Sequence, residues 1–237
     1  TANIKGYKKK YKKLEDRFYQ EVWESKQYGP AKDVPADVVL DVGALSGEFA
    51  TWIYDKAKVI YALEPYSEHF KELSDNIEEF KLEKIKPFKL ALSDKDGEDL
   101  LFILSRGANR MLISASPSEK VETITLSTFM EQNNIEHINI LKIDIEDGEW
   151  QVFNAPETEE ALSKVDFIIG EHLAQVDDIL KSYGFRRKDP KGVNSVYSFS
   201  SLSSTRVIGA AFIPAQTAIK LTSVPSNASD SNVPNAL

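Results

Sequence analysis

The sequence predicts an α/β fold: a mainly parallel sheet of seven strands with helices on both faces. Three observations carry the prediction. From residue 38 onward, short apolar runs alternate with helical segments. The runs are near-continuously apolar, as in strands buried on both sides. A loop holding Gly43 and Gly47 separates the first run from the first helix.

The elements follow in order. "DVVLDVG" is a strand and "GEFATWIYDK" a helix with Phe49, Trp52 and Ile53 on one side. "KVIYALEP" (58–65) is the second strand. "SEHFKELSDNIEEFK" (67–81) is a helix capped by Ser67, with Phe70, Leu73, Ile77 and Phe80 inward. "IKPFKLALS" is the third strand, "HINILKIDIE" (137–146) the fourth and "KVDFIIGEH" (164–172) the fifth. A helix, "LAQVDDILKSYG", stops at Gly184, and "FRRKD" with "VNSVYSFS" forms a closing pair across a Pro-Lys-Gly turn. Between the third and fourth strands, "EDLLFILS" and "KVETITLSTF" read as strands flanking a polar loop, "RGANRMLISASPSE". Three regions result: a lysine-rich helical lead-in over 1–35, the α/β domain over 36–200, and a low-charge tail over 201–237, partly disordered.

In the lead-in, Leu14, Phe18, Val22 and Trp23 recur at helical spacing, and Gly29-Pro30 ends it. Six lysines and no acid fall within residues 1–13. A solvated amphipathic helix packed on the domain explains them, and an acidic or phosphate-rich partner is the other reading.

The 237 residues suffice for one α/β domain with appendages, and 42% hydrophobic and 28% charged residues are those of an ordinary globular chain. A net charge of −8 argues against a dedicated nucleic-acid binder, which gains affinity by neutralising phosphates. The absence of cysteine excludes a disulfide framework, thiol catalysis and a thiolate zinc site. No signal peptide opens the chain, and "VIGAAFIPAQTAI" (207–219) is shorter than the roughly 20 residues that span a bilayer. The expectation is a cytoplasmic protein with no membrane span.

In an open parallel sheet, ligands bind beyond the carboxyl ends of the strands. Gly43 and Gly47 stand at such an end, where bare backbone lets a ligand approach. The spacing Asp41-x-Gly43-x-x-x-Gly47 is neither G-x-G-x-x-G nor a P-loop, so a ligand with a charged end and no phosphates fits better. Glu64 ends the second strand, where an acid accepts hydrogen bonds from ribose hydroxyls. A ribose-bearing ligand without phosphates is the inference, and S-adenosylmethionine fits it.

"VVLDVGALSGEF", "YALEP", "LALSDKDGE" and "LSTFMEQNNIEHINILKIDIEDGEW" together resemble the FkbM family of S-adenosylmethionine-dependent methyltransferases, over residues 36–200. The glycine loop is a general methyltransferase signal; "LKIDIEDGEW" is the specific one. Family members usually read Lys-Ile-Asp-Val-Glu-Gly-Ala-Glu there, and this chain has Asp147-Gly148 in the Gly-Ala places. The resemblance implies the Rossmann-like class I methyltransferase fold. It also implies cofactor contacts: Asp41, Gly43 and Gly47 around the methionine part, Glu64 at the ribose, and Ser93-Asp94 at the adenine edge. For "ALSDKDG" the other reading is a plain turn.

Methyl transfer to an alcohol needs alignment of the nucleophile and an acceptor for its proton. Strand alternation puts Lys142, Asp144 and Glu146 on one side of the fourth strand, with Ile143 and Ile145 on the other. Asp144 is the first candidate to act near the methyl or the acceptor. Glu146 and Glu149 follow, as bases or as ligands of a divalent ion. The alternative is a Lys142–Asp144 pair that braces the sheet. His172 ends the fifth strand, a candidate general base or acceptor-orienting group beside Glu171, whereas His69 lies on a helix face and His137 at a loop-to-strand junction. A divalent metal at 144, 146 and 171 is possible, but no dense His/Asp spacing indicates one.

The leading reading is an O-methyltransferase acting on a hydroxyl of a sugar or glycan, as FkbM relatives do. Polar residues in the 105–118 insert are candidates to shape the acceptor site; Arg106 and Arg110 read equally well as loop charges. The alternatives are a methyltransferase of small secondary metabolites and a non-catalytic binding module on the same fold. A nicotinamide oxidoreductase is disfavoured by the missing third glycine.

Overall fold

The structure, a computed structural model, describes residues 1–14, 16–105, 108–110, 119–145, 148–155, 157–171, 173–188 and 195–199; for 100–105 and 108–110 it describes the backbone alone. The tail from 201 onward, the Pro-Lys-Gly turn and Arg106 lie outside the described residues, and so do the side chains of Glu146, His172 and Arg110.

The strands are β1 (Val38–Val42), β2 (Val59–Leu63), β3 (Ile85–Phe88), β4 (Ala91–Leu92), β5 (Gly97–Ser105), β6 (Ala108–Arg110), β7 (Glu119–Ile124), β8 (Ile138–Ile143), β9 (Val165–Gly170), β10 (Phe185–Arg187) and β11 (Ser195–Phe199). Seven of them form the main sheet in the order β10-β11-β9-β8-β1-β2-β3. All neighbours from β9 to β3 run parallel; β11 is antiparallel to β9 and β10. The expected seven-stranded, mainly parallel sheet is therefore present, with the closing pair as its one antiparallel edge.

The third strand departs from expectation. "IKPFKLALS" is two strands: β3 ends at Phe88, and β4 begins a second sheet of order β4-β7-β5-β6. Pro87 explains part of this, since a residue without a backbone N–H is tolerated on an edge strand, and β3 is the edge.

The described helices are α1 (Ile4–Leu14), α2 (Glu48–Ile53), α3 (Ser67–Phe80), α4 (Leu126–Gln132), α5 (Glu149–Asn154), α6 (Thr158–Leu162) and α7 (Asp177–Ser182), besides shorter turns. Two apolar clusters divide by strand parity. Val39, Ile60, Ala62 and Ile140 pack under α1, α2 and α3. Leu40, Leu63, Leu141 and Ile143 pack under α4 to α7. Asp41 and Lys142 share the parity of the first set, and the register aligns them as neighbours across β1 and β8.

Ser67 is the first helical residue and Tyr66 the cap position; Ser67 instead bonds Glu119 through its N–H (3.1 Å) and hydroxyl. In the lead-in, α1 buries Tyr7 and Tyr11, one turn apart, while Leu14 is 61% exposed. The apolar stripe is thus tyrosine among lysines, and helix ends at Leu14 and Glu24 precede Gly29-Pro30.

Beneath α1 lies a polar seam. Tyr11 Oη donates to Glu72 Oε1 (2.7 Å), and the buried Asn76 amide donates to Tyr11 Oη (2.6 Å) and to the carbonyl of Ser46 (2.8 Å). Asn76 therefore ties the lead-in to the glycine loop. Glu48, at the start of α2, is buried beside it, accepts from the Ser46 hydroxyl, and is pushed by burial to a pKa of about 8.

That shift has a sign. The unfolded chain releases the Glu48 proton near 4.5, and the folded chain holds it to about 8, so Glu48 ionisation erodes stability as pH rises between those values. Glu48→Gln is expected to match the wild type near pH 4 and to melt several degrees higher at pH 9, about 2–4 °C per kcal/mol recovered. Melting curves that stay parallel from pH 4 to 9 would show that the carboxyl carries no such cost.

Candidate active site

The site is built where β1, β2 and β8 end. Gly43, in the left-handed region at φ +76°, turns the chain out of β1; Leu45 (φ +50°) and Gly47 (φ +100°) complete the loop, and Gly47 precedes α2 as its cap residue. A Cβ on Gly43 would lie 2.1 Å from the backbone oxygen of Asp144. The loop after β1 thus packs backbone to backbone against the chain leaving β8, at a distance only glycine permits.

Asp41 is wholly buried. The Lys142 ammonium, also buried, lies 3.2 Å from Asp41 Oδ1 and donates to the carbonyls of Val42 (3.2 Å) and Gly43 (2.7 Å). The contact with Asp41 is electrostatic rather than a directed hydrogen bond, and both Asp41 oxygens lack a hydrogen-bond partner. Burial raises the Asp41 pKa, with Lys142 opposing. For Lys142, burial pulls the pKa down, but Asp41, Asp144 and Glu64 outweigh it and hold the group protonated. The alternative reading, a Lys142–Asp144 pair, is not what forms: the ion pair of Lys142 is with Asp41.

Asp144 follows β8 and is half-buried; its Oδ2 accepts from Tyr28 Oη at 2.9 Å. Tyr28 was not visible as a site residue in the sequence. It comes from the lead-in, is 3% exposed, packs edge-on against Phe49 (5.1 Å between centroids) and has the Lys142 ammonium 6.0 Å from its ring centre. Burial, then Asp144, drives its hydroxyl pKa well up, so it stays a donor. The neighbouring Gln27 amide donates to Glu171, beyond the end of β9.

Glu64 is buried at the end of β2. Its two oxygens accept from the backbone N–H groups of Leu45 and Tyr66, each at 2.9 Å, and burial raises its pKa to about 7. His69, on the first turn of α3, brings Nδ1 to 3.9 Å from Glu64 and stacks edge-on with Tyr66; burial lowers its pKa. His137 bonds Asp166 (2.8 Å), before the start of β8 and so at the opposite end of the sheet.

Asp41, Gly43, Glu64 and Asp144 thus converge around Lys142. Ser93 and Asp94 bond one another (3.2 Å), with Ser93 N–H held by the Ile124 carbonyl (2.9 Å), in the turn that follows β4. Asp96 of the same turn accepts from Thr125 N–H (2.7 Å) and the Thr128 hydroxyl (2.8 Å), holding the start of α4, whose cap residue is Thr125. Glu149 is buried and accepts from Ile145 N–H (2.9 Å), bracing the loop after β8. Among the described residues, no group of three or more His, Asp or Glu side chains is placed to hold a metal ion, and no helix is long and apolar enough to cross a membrane.

An α/β sheet of this order, with a glycine loop after β1, a buried acid at the tip of β2 and carboxylates at the tip of β8, defines a Rossmann-like class I methyltransferase. The sequence model of the Methyltransferase FkbM domain matches residues 41–187, and the chain belongs to that family of S-adenosylmethionine-dependent methyltransferases. The chain is 27% identical, over 216 residues, to the hexuronic acid methyltransferase AglP of Haloferax volcanii, covering 86% of this chain and 81% of the relative. Among solved structures, the methyltransferase FkbM from Methylobacillus flagellatus superposes with a TM-score of 0.48 at 15% identity, over 70% of this chain and 44% of that one. This chain thus matches less than half the length of that protein. A SAM-dependent methyltransferase from Aquifex aeolicus gives 0.45 at 13% identity, over 81% and 98%.

The residues present fit the cofactor. A buried carboxylate without a directed hydrogen bond suits a cationic ligand, and Gly43 and Gly47 leave two positions of the loop bare of side chain.

Proposed function

We propose that the chain methylates a hydroxyl of a sugar acceptor, with a hexuronic acid or an oligosaccharide carrying one as the first candidate. The acceptor class rests on the likeness to AglP, whose name gives hexuronic acid as its substrate. The observation that carries the chemistry is Asp144, a carboxylate at the tip of β8, held by Tyr28 and near Lys142.

S-adenosylmethionine supplies an electrophilic methyl on a sulfonium, so the protein's task is alignment, exclusion of water and removal of one proton. Asp41 and the Gly43–Gly47 loop hold the methionine end, and Glu64 takes the ribose hydroxyls on the lone pairs that Leu45 and Tyr66 leave over. Ser93 and Asp94 border the adenine. Asp144 receives the proton of the acceptor hydroxyl. His172 and Glu146 are further candidates for that proton or for orienting the acceptor.

Transfer of labelled methyl to a panel of uronic-acid oligosaccharides, neutral oligosaccharides, small alcohols and transfer RNA, with and without magnesium, tests the reading. Label in the uronic-acid arm is expected. Label confined to RNA or to small alcohols would overturn the acceptor assignment. Glu64→Gln is expected to weaken S-adenosylhomocysteine binding about tenfold or more, the worth of a charge-assisted hydrogen bond, and to lower the melting temperature by a few degrees, because its amide nitrogen cannot accept from one of the two backbone N–H groups. Unchanged affinity by calorimetry would clear Glu64 of the ribose role.

A further inference from the structure

The family match begins at residue 41, yet the side chain that fixes Asp144 comes from residue 28. The lead-in delivers it by a defined path. Asp16 caps the turn Arg17–Tyr19, accepting from Tyr19 N–H at 2.7 Å, and a π-type turn over Gln20–Glu24 follows. Lys26, left-handed at φ +54°, then redirects the chain so that Gln27 reaches Glu171 and Tyr28 reaches Asp144.

The charges at this point do not balance. Asp41, Glu64 and Asp144 act together on one ammonium, that of Lys142, which is already pinned to the glycine loop by two carbonyls. Neither buried Asp41 oxygen has a directed hydrogen bond, and its ion pair, 3.2 Å from Oδ1, is with the same Lys142 ammonium. Such a pocket has an unmet demand for positive charge. The methyl donor and its product differ in just that respect, because the sulfonium is cationic and the thioether left after transfer is neutral.

We propose that Tyr28 is a positioning residue: it holds the Asp144 carboxylate in the orientation that makes the site prefer the positively charged donor over the neutral product. The proposal rests on the cofactor reading above and adds a selectivity to it. The Tyr28 hydroxyl spends its proton on Oδ2, and its ring, edge-on to Phe49 with the Lys142 ammonium 6.0 Å from its centre, fixes where that hydroxyl stands. Loss of the ligand's charge at each turnover then loosens the product.

Calorimetry without any acceptor tests this, using sinefungin, which carries an amine where the donor has its sulfonium, and S-adenosylhomocysteine. The wild type is expected to favour sinefungin by about tenfold. Tyr28→Phe, which keeps the ring, should cut that preference roughly threefold or more, with homocysteine affinity and melting temperature nearly unchanged. Asp144→Asn should cut it at least as far, and the double variant no further, because both changes act on one group. An unaltered preference in Tyr28→Phe overturns the proposal. Equal weakening of both ligands also overturns it, since that marks a merely structural tyrosine. Failure of the wild type to bind either ligand would be a different result, removing the cofactor reading itself.

Discussion

Lys142→Met is expected to cost the fold about 3–5 kcal/mol, the usual penalty for stripping one partner from a buried ion pair. Native domains hold only about 5–15 kcal/mol in total, so the variant should be at the margin of folding. The reason is Asp41, wholly buried at the centre of the sheet, with Lys142 as the cation 3.2 Å from it. Removing the ammonium leaves a carboxylate in an apolar layer and also frees the carbonyls of Val42 and Gly43. Adding Asp41→Asn should restore roughly 2 kcal/mol or more, because the uncompensated charge is then gone. Urea unfolding of the wild type, the single variant and the double variant measures this. A single variant within about 1 kcal/mol of wild type would show that Asp41 is neutral in the folded state and that the pair is no pair.

Gly43→Ala has the second largest expected effect, and it acts on binding more than on folding. Its Cβ would stand 2.1 Å from the Asp144 carbonyl oxygen and 3.1 Å from the carbonyl carbon, both backbone atoms that no rotamer change can clear. The residue's φ of +76° adds about 1–3 kcal/mol of strain for any side chain. Relief requires the loop after β1 and the loop after β8 to part, which separates the groups proposed to hold the methionine end from Asp144. S-adenosylhomocysteine affinity is expected to fall about a hundredfold or more. Gly29→Ala is the control: a Cβ there meets nothing within 4 Å, and its binding should equal that of the wild type. Comparable loss in both variants, or none in Gly43→Ala, would disprove the packing argument.

The parts of the site written locally in the chain were legible. Asp41, Gly43 and Gly47 form a strand–loop–helix signature within seven residues, and Glu64 stands at the end of the next strand. The parts created by register were not. Lys142 lies 101 residues from Asp41, and no local pattern tells which of two nearby acids it will meet; only the pairing of β1 with β8 decides for Asp41 over Asp144. Tyr28 was hidden for a different reason. It follows a helix end, belongs to no periodic face, and owes its place to the left-handed turn at Lys26. Asn76 shows a third kind of blindness, since a polar residue on a helix reads as solvated, and its burial follows from Tyr11 arriving from another element. The tyrosine stripe of α1 was written at helical spacing, but six lysines around it obscured the hydrophobic signal.

The order β10-β11-β9 has a consequence for synthesis. β11 is the last described strand in the chain, yet it sits between two that precede it. Until residue 199 has emerged from the ribosome, β9 presents a bare row of amides and carbonyls, and β10 has no neighbour to join. A nascent chain paused in that interval carries an open flank to which a stray strand can attach. Shielding of that flank by a chaperone, or swift passage through the final codons of the domain, would therefore govern how much of the polypeptide reaches its working state.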